Sequence, residues 1–134
     1  MRALALLALC GCGNNAKPPD AHIPDSVVVD QPPPIDAPPP TVFAVTPCPA
    51  TVAQLVTATT NIPYQYQPPA SSIHVDDVVQ FQMPAIHNVV PNATNSDSGL
   101  EVNFGETKCL RFTKPGTFGF HCSPHGFAGS VNVN

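Results

Sequence analysis

The sequence predicts an all-β fold, an antiparallel sandwich or small barrel, for the chain from Thr41 onward. Short runs rich in Val, Phe, Thr and Ile are broken by Pro, Gly, Asn and Ser. Such breaks recur about every ten residues, which is typical of strands joined by turns. No window in this part has the apolar spacing of a convincing helix, so the pattern favours an all-β fold over any α/β fold.

Alternation of apolar and polar side chains predicts two strands of the core. Residues 78–83 alternate, so Phe81 and Met83 should share one buried face. Residues 108–112 alternate in the same way, with a leucine and a phenylalanine on the buried face. Cys109 should then face away from the main core.

A third strand follows a Pro-Gly turn and carries side chains of chemical interest. Period two over residues 117–122 places Phe120 and Cys122 on one face and His121 on the other. A Val-x-Val pattern within residues 130–134 predicts the last strand.

The distribution of proline divides the chain into two parts. Of its 18 prolines, 11 lie between Pro18 and Pro49, and 7 are spread over the last 85 residues. Residues 12–40 are rich in Pro and Asp and lack periodicity, which predicts a disordered tether. Residues 41–134 are too few for two ordinary cores, so we expect one domain there.

Charge and hydropathy exclude two classes of protein. Five Lys and Arg against nine Asp and Glu give a net charge of −4, and the sequence has no basic cluster that could follow a phosphate backbone. Nucleic acid is therefore not an expected partner. No apolar run approaches the roughly 20 residues of a membrane-spanning helix, so we do not expect an integral membrane protein.

The first residues predict an export signal. Residues 1–11 contain one positive charge, a short apolar stretch and small residues, the order found in a secretory signal peptide. The stretch from Leu9 resembles the lipobox of bacterial lipoproteins, where a small residue precedes the acylated cysteine. Gly11 before Cys12 meets that pattern and Leu9 before Cys10 does not, so Cys12 is the predicted lipidation site. The alternative is an ordinary cleaved signal peptide.

A lipid on Cys12 would place the domain in the cell envelope. Acyl chains hold a protein to a membrane without a spanning helix, so we expect a membrane-anchored lipoprotein with its domain in the periplasm or extracytoplasmic space. Gly13 stands where an aspartate often retains lipoproteins at the inner membrane, and this difference favours the outer membrane.

The remaining cysteines predict a disulfide, since an oxidising envelope favours pairing. Cys109 faces away from the core, and Cys48 lies near the start of the domain. Their disulfide would attach this N-terminal segment to the sheet and leave Cys122 as a thiol. The alternative pairing, Cys109 with Cys122, would oxidise the sulfur on which the functional prediction depends.

Three side chains have the chemistry of a metal site. Cys122 and His125 are separated by two residues, and Pro124 stiffens the link, so one loop can present a thiolate and an imidazole to one ion. His87, directly after the strand at 78–83, supplies a second imidazole. Two imidazoles and a thiolate suit a trigonal site for one copper ion.

With these pieces in order, the chain resembles the cupredoxins, the plastocyanin and amicyanin-like blue copper proteins, over residues 62–133. The matching pieces are Ile73–Phe81 as an early strand, residues 87–89 as the first ligand segment and residues 113–126 as the ligand-bearing hairpin. These motifs are specific because they occur together and in order.

The resemblance implies a fold and a role for each matched residue. It implies a Greek-key β-sandwich with copper at one end. His87, Cys122 and His125 would be the equatorial ligands. Asn88 would hydrogen-bond the cysteine sulfur and brace the ligand loop.

One position departs from the family, which usually has an axial methionine soon after the second histidine. Amicyanin-like spacing places Ala128 there, and plastocyanin-like spacing places Ser130. The axial position would then be empty or taken by water or a backbone carbonyl such as that of Ile86. Met83 alternates with core residues, and we predict that it packs in the core.

These observations predict a monomeric type 1 copper protein, not an enzyme, that transfers single electrons between redox partners in the cell envelope. The missing methionine motivates an alternative, a copper buffer or delivery lipoprotein without electron transfer. A third hypothesis is a structural module in which Cys122 is bonded to Cys109. Zinc fits less well, because a structural zinc site needs a fourth protein ligand.

Overall fold

The computed structural model describes residues 39–94 and 96–134. The predicted signal peptide (1–11), the lipidation site Cys12 and the predicted tether as far as residue 38 lie outside the described residues. Within the described part of the chain, no helix has the length and apolar character needed to cross a bilayer.

The described residues form nine strands in two sheets, which confirms the all-β prediction. The strands are β1 (Val42–Val45), β2 (Gln54–Ala58), β3 (Tyr66–Gln67), β4 (Ala70–Ile73), β5 (Val78–Gln82), β6 (Val90–Pro91), β7 (Thr107–Phe112), β8 (Gly116–His121) and β9 (Ala128–Val133). One sheet has the order β1-β7-β5-β2-β3 and the other β4-β9-β8-β6.

Two strand pairs are parallel, so the expectation of a wholly antiparallel arrangement was wrong. β2 runs parallel to β5, and β4 runs parallel to β9. After β3 the chain crosses to the second sheet as β4 and returns as β5. Parallel neighbours require such crossover connections. Side-chain alternation is the same in either direction, and it therefore does not predict strand polarity.

The predicted early strand Ile73–Phe81 is in fact two strands in different sheets. β4 ends at Ile73 and β5 begins at Val78. Between them, Asp76 has a φ of 70°, and the Asp77 carboxylate accepts a hydrogen bond from the backbone N–H of His74 at 2.8 Å. This turn moves the chain from one sheet to the other, so the apolar alternation on its two sides belongs to two elements.

The two sheets pack together through aromatic side chains from their facing strands. Phe81 and Phe120 meet with ring centroids 5.6 Å apart, and Phe112 and Phe118 meet at 5.2 Å. Both pairs have the edge-to-face geometry that aromatic rings prefer. All four residues lie in one core cluster together with Met83, so the predicted buried faces, including the packing role of Met83, are confirmed.

The N-terminal strand is attached to the sheet by pairing and by a covalent bond. β1 pairs antiparallel with β7, and Val45 lies opposite Cys109. Cys109 is bonded to Cys48, with their Cα atoms 5.5 Å apart. This is the pairing that the sequence favoured, and among the described residues it leaves Cys122 as a buried free thiol.

The start of the domain is also held by a carboxylate. Asp97 accepts hydrogen bonds from the backbone N–H and the hydroxyl of Thr41 and from the backbone N–H of Gly99. Burial raises the pKa of Asp97, but these hydrogen bonds outweigh it and hold the pKa below its ordinary value. The ionised carboxylate therefore stabilises the folded domain.

Replacing both Cys48 and Cys109 with Ala should destabilise the domain strongly. The bond joins residues 61 apart in sequence, so its loss should lower the free energy of unfolding by about 4 kcal/mol through the entropy of the unfolded chain. Urea unfolding measures this loss. Wild-type protein unfolded under reducing conditions is the control and should show a similar loss, and an unchanged midpoint in both would contradict the assigned role.

The Asp97 carboxylate should make stability depend on pH in the acid range. Because its folded-state pKa is lowered, its stabilisation is complete above the unfolded value of about 3.9 and is lost as the pH falls through the folded-state pKa. Asp97→Asn should lower the free energy of unfolding at neutral pH by about 1–3 kcal/mol and flatten its decline in acid. Urea unfolding between pH 7 and pH 2.5 tests this. Asp76→Asn, in an exposed turn, is the control and should keep the wild-type slope.

Candidate metal centre

Two loops at one end of the sandwich bring the predicted ligands together. β8 ends at His121, so Cys122 is the first residue of the β8–β9 loop and continues the buried face of Phe118 and Phe120. The loop closes tightly, because the N–H of Cys122 donates to the carbonyl of Phe127 at 3.0 Å and that of Gly126 donates to Cys122 at 2.8 Å. His87 comes from the β5–β6 loop.

The three side chains converge on one point. Nδ1 of His87 and Nδ1 of His125 are each 3.5 Å from the sulfur of Cys122. One potential ligand atom from each residue lies within 4.8 Å of the other two. His87 and Cys122 are fully buried, whereas His125 is exposed. The group therefore has two donors inside the protein and one at its surface.

A hydrogen bond fixes the orientation of the buried histidine. Nε2 of His87 is 2.8 Å from the backbone carbonyl of Thr59. A carbonyl can only accept, so Nε2 carries the proton and Nδ1 presents its lone pair toward Cys122. Hydrogen bonds of this kind orient metal-binding histidines and raise their basicity.

Asn88 braces the ligand loop, although its side chain hydrogen-bonds Ser123 and not the sulfur of Cys122. Its Oδ1 accepts from the backbone N–H of Ser123 at 2.9 Å, and its Nδ2 donates to the Ser123 hydroxyl at 3.1 Å. These bonds join the segment after His87 to the segment after Cys122. The two ligand loops are therefore held to each other.

A buried tyrosine supports the same region from the core side. The hydroxyl of Tyr66 donates to the backbone carbonyl of Asn88 at 2.6 Å. Burial, followed by the nearby sulfur of Cys122, raises the pKa of Tyr66 well above its ordinary value. Tyr66 therefore stays a neutral donor, and its hydrogen bond to the Asn88 carbonyl fixes the backbone of the loop that carries His87.

Two further aromatic rings lie against the histidines. Tyr64 is 5.1 Å from the ring of His87 and 4.6 Å from that of His125. Phe127 is 5.0 Å from His87 and 6.3 Å from His125. Sequence reasoning missed Tyr64, because no motif singles it out in its loop. The signal that the sequence does carry is its place two residues before Tyr66, just ahead of β3.

The residues considered for the axial position lie in different parts of the domain. Ala128 and Ser130 lie opposite His121 and Gly119 in the β8–β9 ladder, and residues opposite each other share a face. They therefore lie on the outer face, opposite to the buried face of Cys122. Ile86, whose backbone carbonyl was the other candidate, directly precedes His87 and is 44% exposed, and Met83 is buried in the core cluster.

The donor set fits copper better than other common metals. Two imidazoles and one thiolate from a rigid frame match the trigonal sites in which an axial ligand is weak or absent, whereas zinc favours four tetrahedral ligands. Within the described residues, no other group of three His, Cys, Asp or Glu side chains lies close enough to hold an ion. Fold and donor set together define a cupredoxin-type copper site.

Known proteins support this conclusion. No protein-family model matches the chain. The chain is 32% identical to plastocyanin from Prochlorothrix hollandica over 97 residues, which cover 65% of this chain and 74% of that one. It is 33% identical to the chloroplastic plastocyanin of Hordeum vulgare over 84 residues, 52% of this chain and 54% of the relative, so it spans about half of the latter's length.

Solved structures support the same fold. A proline-to-glycine variant of amicyanin, in the reduced Cu(I) form at pH 4, matches with a TM-score of 0.55 and 24% identity, over 70% of this chain and 99% of that one. The chain belongs to the plastocyanin family of cupredoxins, which are blue copper proteins.

Removing the Asn88 brace should destabilise the domain. Asn88→Ala removes the acceptor of the Ser123 backbone N–H and the donor to the Ser123 hydroxyl, and for these two hydrogen bonds we expect a loss of about 1–3 kcal/mol in the free energy of unfolding. Ser123→Ala is the matched control, because it removes only the hydroxyl contacts and should cost less. Urea unfolding of the metal-free protein compares them, and equal losses would contradict the role of Asn88.

Proposed function

We propose that this protein binds one copper ion through His87, Cys122 and His125 and carries single electrons between redox partners in the cell envelope. The observation that carries the proposal is the convergence of these side chains, two of them buried and one at the surface. A bound copper ion would supply the Cu(II)/Cu(I) couple, which takes one electron from a reduced donor and passes it to an oxidised acceptor.

Rigidity of the donor set favours rapid electron transfer. The hydrogen bond from His87 to Thr59 and the links from Asn88 to Ser123 hold the side chains in place before any metal binds. Ligands that move little between oxidation states keep the reorganisation energy small.

The surface around His125 is suited to an uncharged partner. Residues 59–65, 84–94 and 116–134, which form or adjoin the loops of the site, contain no Asp, Glu, Lys or Arg. Ile62 is 83% exposed and lies two residues before Tyr64, and Ile86 is exposed beside His87. We propose that a redox protein with an apolar docking face approaches this end, and that electrons pass through His125.

The N-terminal sequence motivates the proposed location. A lipid on Cys12 would anchor a monomer to a membrane of the envelope, with residues 12–40 as a tether. Fully extended polyproline II rises about 3.1 Å per residue, so the tether would let the copper domain reach roughly 90 Å from the lipid. This reach would allow one domain to meet partners at different heights above the membrane.

A copper buffer or delivery protein is the second candidate. The observation that favours it is the position of Ala128 and Ser130, since neither offers a thioether and both lie on the outer face of β9. Axial ligands tune the potential of such sites. Without one, copper could be held at a potential outside the range of envelope partners.

Copper addition followed by spectroscopy tests the two candidates. In residues 12–134 carrying Cys12→Ser, Cu(II) should give an intense thiolate-to-copper charge-transfer band and a reversible one-electron wave in voltammetry. Cys122→Ser should abolish the band, because the sulfur is its source. His121→Ala is the control and should keep it, since the His121 ring contacts Asn92 outside the donor group.

Other outcomes separate the alternatives. Bound copper without a reversible wave would overturn electron transfer and favour the buffer. Failure to bind copper, together with a mapped Cys109–Cys122 disulfide, would overturn both and support a structural module.

A further inference from the structure

We propose that Tyr64 is a positioning residue for His125, the exposed member of the donor group. Its ring and that of Phe127 form an aromatic clamp, the pair Tyr64 and Phe127, which keeps the His125 imidazole directed at Cys122 and slows the release of a bound metal ion. The effect on metal release rests on the proposed copper function, whereas the restraint on His125 exists in the metal-free protein as well.

The ring of Tyr64 contacts both histidines at close range. Its centroid lies 4.6 Å from that of His125 at an interplanar angle of 53°, and 5.1 Å from that of His87 at 69°. The histidine rings are 4.9 Å apart. These tilted and edge-to-face arrangements are attractive for aromatic rings and restrict rotation of the side chains involved.

The two histidines differ in what else restrains them. His87 is fully buried, and its Nε2 is bonded to the carbonyl of Thr59. His125 is exposed, and its hydrogen-bond partner within the described residues is the sulfur of Cys122. An exposed side chain rotates freely unless its neighbours prevent it. The rings of Tyr64 and Phe127 both contact the His125 ring and provide that restraint. The Phe127 ring is nearly parallel to it, at 19°.

The loop that carries Tyr64 is itself fixed, as a clamp requires. The N–H of Thr59 donates to the carbonyl of Gln65 at 2.9 Å, and the N–H of Gln65 donates to the Thr59 hydroxyl at 3.0 Å. That hydroxyl also donates to the carbonyl of Pro63 at 3.1 Å. Because the Thr59 carbonyl holds His87, the loop at residues 59–65 supports both histidines, one by a hydrogen bond and the other by a ring.

Variants of Tyr64 separate the ring from mere bulk. Both histidine contacts are made by the ring, so Tyr64→Phe should preserve the clamp, whereas Tyr64→Leu and Tyr64→Ile should lose it. Phe43→Leu is the matched control, because Phe43 is 47% exposed on β1. All variants are made in residues 12–134 carrying Cys12→Ser, and urea unfolding checks that each one folds.

Two measurements are needed. The first is the rate at which the copper-loaded protein loses copper to an excess of chelator. Tyr64→Leu and Tyr64→Ile should release copper roughly two- to tenfold faster than wild type, while Tyr64→Phe and the control should stay within about twofold. The second is NMR of the His125 ring in the metal-free protein, which should report greater side-chain motion in the Leu and Ile variants only.

The outcomes distinguish the clamp from the copper function. The clamp is overturned if both aliphatic variants keep the wild-type release rate and the wild-type His125 motion. It is also overturned if the aliphatic variants release copper faster and Tyr64→Phe releases it equally fast. If wild type binds no copper, the proposed function fails, but the NMR comparison still tests the clamp. If the aliphatic variants do not fold, Tyr64→Met replaces them: greater His125 motion in Tyr64→Met than in Tyr64→Phe supports the clamp, and equal motion in the two overturns it.

Discussion

The closure of the loop from Cys122 to Phe127 is the constraint on which the site depends. Two backbone hydrogen bonds, one at Cys122 N–H and one at Gly126 N–H, turn the chain within a few residues. Gly126 has a φ of 71°, which a residue without Cβ adopts at little cost. This turn keeps the sulfur on the buried face of β8 while returning His125 to the same point from the solvent side.

Every other support acts on this turn or on its partner loop. Asn88 joins Ser123 to the segment that carries His87, and Tyr66 holds the carbonyl of Asn88 from the core. The core in turn is fixed by aromatic pairs between the sheets. A chain of packed and hydrogen-bonded groups therefore runs from the middle of the sandwich to the donors, so the geometry of the site depends on how the two sheets pack.

Sequence reasoning reached the core faces and the donor group because both depend on short-range order. Period two sorts Phe81 and Phe120 inward wherever their strands lie, and the spacing of Cys122 and His125 belongs to one loop. Strand direction was not accessible in this way, nor was the turn at Asp76 that divides two strands. Tyr64 was missed because its proximity to His125 comes from the tertiary fold.

The Cys48–Cys109 disulfide has a consequence for which sulfur atom of the domain can react. Three cysteines enter the folded domain, and two of them are consumed by each other at the attachment of β1. The third, Cys122, is buried and remains a thiol. The fold thus gives its sulfur atoms different fates: two are joined in the structural bond, and burial protects the third from oxidation.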